Sequence, residues 1–236
     1  MNIKTIRLEL LEKVQVPELT TSMLLGYLSN YRGPRKEISK LAQKGLIKPI
    51  KQGVYIAGKE FKLRPYSIDI LGNMIYGPSY ISLETALGYY GFIPERVEST
   101  TSVCLGNSRS FDTNIGTFEY CHLCSELYPH GITLLEVFDN SFYLHATAEK
   151  ALFDFIYFRE KIKDINNPSE YFNYVVDSYR IDIKLVLAKV SIKKINLLLS
   201  FYSLTAPNKN KRILWFFSEL VKRAQKKRDR RSTTRP

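Results

Sequence analysis

The residues whose types and spacing point to chemistry lie together in one short stretch. Arg35, Lys36, Ser39, Lys40 and Gln43 fall at i, i+1, i+4, i+5 and i+8, with Arg32 just ahead of them. On a helix this spacing gathers basic and small polar groups on one side. The major groove of B-DNA admits one such helix and carries a donor and acceptor code on its base edges. Arg can pair bidentately with guanine, whereas Lys and Ser are as often phosphate contacts. Lys48, Lys51 and Gln52 follow at the place where a hairpin tip would reach a neighbouring groove or phosphate. Any solvated surface helix shows a charged face. Here that face is nearly all cationic, with Glu37 the only acid between Tyr31 and Lys59.

Other constellations are weaker. Cys121-His122-Leu123-Cys124, with His130 and His145, offers one Cys-x₂-Cys pair and no second pair at zinc spacing. Gly106-Asn107-Ser108 opens like a nucleotidyltransferase Gly-x-Ser, but Asp112 stands without the second carboxylate that Mg²⁺ needs. Ala148-Glu149-Lys150 does not have the spacing of a nuclease core. No nucleophile and base arrangement is visible. The reading from the residues is therefore a binding protein, with no enzyme activity, no cofactor and no metal. The remaining acids of the middle region read as a solvated face.

The elements that must position the basic residues are legible. Lys4–Lys13 has Ile6, Leu10 and Val14 at helical spacing. Thr20 or Thr21 suits the N-cap of a second helix through Leu28. Ser29 to Gly33 is turn chemistry, and Pro34 suits the first position of a third helix that stops at Gly45. Ile38, Leu41 and Ala42 form its apolar back. Leu46–Ile50 and Val54–Ala57 read as strands around a Lys51-Gln52-Gly53 turn. This is the layout of a winged helix-turn-helix.

Beyond it, Lys59–Tyr76 reads as a connecting helix and Gly77-Pro78 as a boundary. Ser82–Tyr90 reads as a helix. Strands are expected at Thr100–Leu105, Ser108–Asp112, Thr117–His122 and around the Asp139-Asn140 turn. A helix capped by Thr147 follows, with Glu149 and Asp154 on its polar side, and then about four helical segments. The expected fold class is α+β: an N-terminal winged helix-turn-helix (residues 1–60), a connector (61–78), a larger mixed α/β domain with a helical C-terminal part (79–221) and a disordered basic tail (222–236).

Charge follows these divisions. Residues 1–59 hold 11 Lys/Arg against 4 Asp/Glu, residues 60–180 hold 9 against 16, and residues 181–236 hold 15 against 3. Basic ends around an acidic middle predict polyanion contact at the ends. The tail from Lys222 has 8 basic residues and one acid, which adds sequence-independent affinity for nucleic acid if it is more than solvated. Three cysteines make no disulfide framework, the N-terminal residues do not read as a signal peptide, and Ile68–Ile93 is too polar to span a bilayer. A cytoplasmic location is expected.

Several stretches taken together resemble the AbiEi-type antitoxins. They are LAQKGLIKPIKQGVYIAG, then GPSYISLETALGYYGFIPE, then TTSVCLGNSRSFDTNIGTFEY and HATAEKALFDFIY, in that order. The resemblance covers residues 1–160 in outline. It implies the antitoxin half of a bacterial abortive-infection, phage-defence pair of the type IV arrangement. The winged helix would then repress its own operon at inverted repeats in promoter DNA. The C-terminal domain would counter a nucleotidyltransferase-like toxin without a stable complex. By position Arg32, Arg35, Lys36, Ser39, Lys40 and Lys51 match the DNA-binding element, and no C-terminal residue can be carried over. The alternative is a stand-alone winged-helix regulator whose acidic domain senses a ligand or protein.

Overall fold

The computed structural model describes residues 3–95, 97–159, 165–205 and 207–232. Among them the chain is mixed α+β, with ten α-helices and two sheets of three and six strands.

The N-terminal unit comprises α1 (Ile3–Lys13), β1 (Glu18–Thr20), α2 (Thr21–Tyr27), α3 (Pro34–Gln43) and the hairpin β2 (Ile47–Lys51) and β3 (Val54–Ala57). The Thr20 hydroxyl accepts the Met23 N–H at 3.2 Å and caps α2. α3 begins with Pro34 at its first position, after Gly33 at φ +85°. It ends in a Schellman pattern: Leu46 N–H donates to Leu41 O and Gly45 N–H to Ala42 O, with Gly45 at φ +71°. β1, β3 and β2 pair antiparallel in that order. Ile6, Leu10, Leu24, Leu28, Leu41 and Ile47 fill the space between helices and sheet.

The connector is not one helix. Lys59–Phe61 makes a single 3₁₀ turn, Lys62 lies at φ +50°, and α4 (Ile68–Ile75) starts only at Ser67, whose hydroxyl accepts the Ile70 N–H. Pro65 accounts for the break, because it disfavours helical geometry at Arg64. α4 is not a spacer either. Gly72 lets it approach the large sheet so closely that a Cβ there would lie 2.8 Å from Ile81. Its carbonyl also accepts the Tyr120 hydroxyl at 2.6 Å. The second unit therefore begins before Gly77.

The large sheet runs β6 (Arg109–Thr113), β7 (Gly116–His122), β5 (Thr100–Cys104), β4 (Ser79–Ile81), β9 (Ser141–Ala146), β8 (Ile132–Phe138). The β5–β7 and β4–β9 pairs are parallel and the others antiparallel. Alternation along β5 separates its two faces. Val103 faces the larger core with α5 (Leu83–Tyr90) and α6 (Ala148–Arg159), while Cys104 faces α4. α7 (Pro168–Ser178), α8 (Ile183–Lys189), α9 (Ile192–Thr205) and α10 (Pro207–Ser232) complete the larger core.

Two expectations change here. Glu149 and Asp154 are buried, and α6 is buried around its whole circumference from Ala148 to Ile156. The basic segment is also not a disordered tail as far as Ser232. It continues α10, whose Ile213, Phe216, Phe217 and Leu220 are buried and nucleate a helix that Lys, Arg, Gln and Ala then extend. Residues 233–236 lie outside the described residues.

Candidate nucleic-acid interface

α3 divides as its spacing requires. Ile38 and Leu41 are buried, while Arg35, Lys36, Ser39, Lys40 and Gln43 are exposed. Arg32 is exposed in the turn before the helix. Lys40 Nζ lies 2.8 Å from Glu37 Oε1, an exposed i,i+3 pair that solvent largely screens. The Ser39 hydroxyl donates to Arg35 O at 3.2 Å. This self-contact costs little to exchange, so the group stays able to meet an external acceptor.

On the hairpin the outcome is mixed. Lys48 and Gln52 are exposed. Lys48 opens onto a cleft of about 460 Å³ at the hairpin base, shared with Pro17, Ile56, Lys59, Arg64 and Tyr66. Lys51 does not join them. Its ammonium donates to Ile75 O at 2.6 Å and lies 3.9 Å over the Phe111 ring. Burial, helped by the Arg109 charge, pulls its pKa below the ordinary lysine value. The cause is a packing demand that spacing alone does not reveal. Ile50, Val54 and Ile56 form one apolar cluster with Leu71, Ile75, Phe118 and Tyr120. The hairpin is thus seated on the second unit, and Lys51 is drawn into the seam.

A second tie holds the two units together. The buried Glu18 carboxylate accepts both Arg64 Nη atoms at 2.9 Å and the Ser67 N–H at 2.6 Å. Arg64 also donates to Ser141 Oγ at 3.0 Å and lies 4.6 Å from the Phe138 ring centre. β1, the connector and the β8–β9 turn meet on this one guanidinium. Nothing in the sequence pairs Glu18 with Arg64, and only the fold brings them together.

The polar groups of the second unit divide into a buried set and a surface set. Asp154 accepts Tyr80 OH at 2.9 Å, Ser82 Oγ at 2.8 Å and Tyr202 OH at 3.1 Å, and lies 3.1 Å from Lys150 Nζ. Lys150 Nζ also donates to Leu127 O. Lys150 and Asp154 are both fully buried, so these groups join segments of the core. Tyr80 and Ser82 come from GPSYISLETALGYYGFIPE, and Lys150 and Asp154 from HATAEKALFDFIY. Two segments distant in sequence thus specify one buried network.

The surface set lines an open cleft of about 330 Å³ with Glu84, Glu95, Glu98, Glu119 and Arg159. Arg159 bridges Glu84 at 2.7 Å and Glu119 at 3.4 Å; burial alone would lower the guanidinium pKa, but the Glu84 carboxylate, helped by its neighbours, holds it above its ordinary value. Arg180 reaches Glu95 at 3.4 Å, so three of the four carboxylates have a cationic partner, two of them sharing Arg159.

Among the described residues no group of three His, Cys, Asp and Glu side chains is placed to hold a metal ion. His130 stacks on Phe201 with ring centres 3.6 Å apart. His145 is buried among Tyr89, Tyr90 and Tyr143. No helix among the described residues is long and apolar enough to cross a membrane. Compared with models of known protein families and with curated proteins, the chain matches none of them.

Proposed function

We propose that α3 is the recognition helix and the β2–β3 hairpin the wing of a winged helix-turn-helix that binds double-stranded DNA. The observation that carries this reading is the split of α3, with Ile38 and Leu41 buried and Arg35, Lys36, Ser39 and Lys40 exposed together. Arg32, Lys48 and Gln52 extend the contact, and Lys51 does not.

The rest of the proposal draws on the resemblance to AbiEi-type antitoxins. In this reading the chain represses its own operon through that helix, and its second unit counters a nucleotidyltransferase-like toxin in the cytoplasm. It acts as a binding protein, without catalysis. The buried Lys150–Asp154 network supports this by accounting structurally for residue types that would otherwise invite a catalytic interpretation.

One observation favours a second reading, a regulator with a sensing domain. The hairpin and β1 are both fastened to the second unit, so a ligand held there would reach the DNA-contacting elements through Lys51 and Arg64.

The test is genetic. A reporter driven by the region upstream of this gene is measured alongside growth in the presence of the downstream gene. The antitoxin reading expects Arg35→Gln/Lys36→Gln/Lys40→Gln to release the reporter while growth stays protected. A downstream gene that is harmless when expressed alone would replace it with the regulator reading.

A further inference from the structure

α10 carries a feature that the proposed recognition helix does not use. From Lys222 to Ser232 the helix holds seven Lys/Arg and one Asp over about 16 Å. Arg223 ties the start of this segment to α7. Arg223 donates to Asn173 Oδ1 at 2.8 Å and lies 4.3 Å from the Phe172 ring centre, and Glu219 receives Arg223 at 3.5 Å and Lys222 at 3.8 Å. Lys222 is nonetheless 69% exposed, and Lys226 is exposed as well. The apolar stripe of the helix ends at Leu220 and Val221.

From Lys222 to Pro236 the only apolar side chains are those of Ala224 and Pro236, and there is no aromatic residue. This composition decides among polyanions. A membrane-surface helix needs an apolar face to bury, and single strands are held largely by aromatic stacking. Neither is available. What remains is a helical segment of basic sequence, rooted in the fold through Arg223, suited to the phosphates of a duplex and indifferent to its sequence.

We infer that the Lys222–Ser232 part of α10 is a second, sequence-independent contact for duplex DNA. It rests on the reading of the chain as a DNA-binding protein. It adds affinity for any duplex, while α3 supplies discrimination.

The experiment measures affinity as a function of salt for two DNA duplexes, one from upstream of this gene and one unrelated, and for one RNA duplex. The proteins are the full chain, Lys222→Gln/Lys226→Gln/Lys227→Gln/Arg230→Gln, a chain ending at Val221, and the α3 triple variant. Gln keeps helix propensity, and far-ultraviolet circular dichroism checks that the helix persists. With four phosphate contacts removed, the slope of log K against log salt should become shallower by about 3.6 on both DNA duplexes. The shortened chain should lose at least as much. The α3 variant should lose its preference between duplexes and keep its slope on the unrelated one to within about 1.

Unchanged slopes in both tail variants overturn the inference, as does tighter binding to duplex RNA than to duplex DNA. A tail effect with no α3 effect leaves the inference standing and removes the recognition helix instead.

Discussion

Asp154→Asn should be among the most damaging single substitutions in this protein, although it changes one atom. Asp154 and Lys150 have no exposed surface. Asn keeps the shape and one acceptor but loses the charge, so the Lys150 ammonium is left in the core with Leu127 O and Tyr202 OH as neutral partners. Breaking a buried pair in this way costs about 3–5 kcal/mol. With an unfolding slope of about 3 kcal/mol per molar in urea, the midpoint falls by roughly 1 to 1.7 M.

The effect should be asymmetric. Lys150→Met leaves a carboxylate that still accepts three hydroxyl donors, from Tyr80, Ser82 and Tyr202, and should cost less. Lys150→Met/Asp154→Asn removes both charges and should be more stable than Asp154→Asn alone. Trp215, the only tryptophan, packs near Tyr171 in the same core and reports the transition by fluorescence. An Asp154→Asn cost below about 1 kcal/mol, or a double variant no better than the single one, would refute the reasoning, since a lost buried pair and its relief would then be absent.

Other outcomes follow from single contacts. Gly131 lies at φ +81°, and a Cβ there would meet the Lys150 Cβ at 2.8 Å. Gly131→Ala should therefore cost about 2–4 kcal/mol in the same urea assay. Burial pushes the His145 imidazole down to about 4 from 6.5. Between those values the unfolded chain binds the proton and the native one does not, so stability falls by up to about 3 kcal/mol as pH drops from 6.5 to 4. His145→Gln should flatten that part of the stability profile. Glu18→Ala strips Arg64 and the Ser67 N–H of their carboxylate. At about 2 kcal/mol this should raise tryptic cleavage after Lys62 roughly thirtyfold, read by gel densitometry.

What the sequence revealed, and what it hid, has a physical pattern. The bounds of α3 were legible because Gly33, Pro34 and Gly45 act through local backbone geometry. Its two faces were legible because apolar spacing is a local signal. Five of the six strands of the second unit were legible from turn residues, but the three-residue β4 was not, nor was the strand order, since the parallel β5–β7 and β4–β9 pairings join segments that only tertiary packing brings together. The same limit explains Lys51, whose neighbours Ile75 and Phe111 lie 24 and 60 residues away by number. It explains Asp154 and Glu149 too. A carboxylate in sequence reads as solvated until its partners are known, and those of Asp154 come from β4, α5's N-cap, α6 and α9. Glu149 instead accepts the Ser191 N–H at 2.7 Å, just ahead of α9. The connector misled for a local reason, since its apolar pattern outweighed Pro65.

The central claim is that the exposed face of α3 contacts DNA. Its most direct test is a fluorescence anisotropy titration of a labelled duplex from upstream of this gene at fixed salt. Arg35→Gln/Lys36→Gln/Lys40→Gln changes only exposed side chains and should fold normally. The account predicts that this variant binds at least about a hundredfold more weakly than the unaltered chain, while Lys51→Gln stays within about threefold. A triple variant that binds within about threefold of the unaltered chain would contradict it.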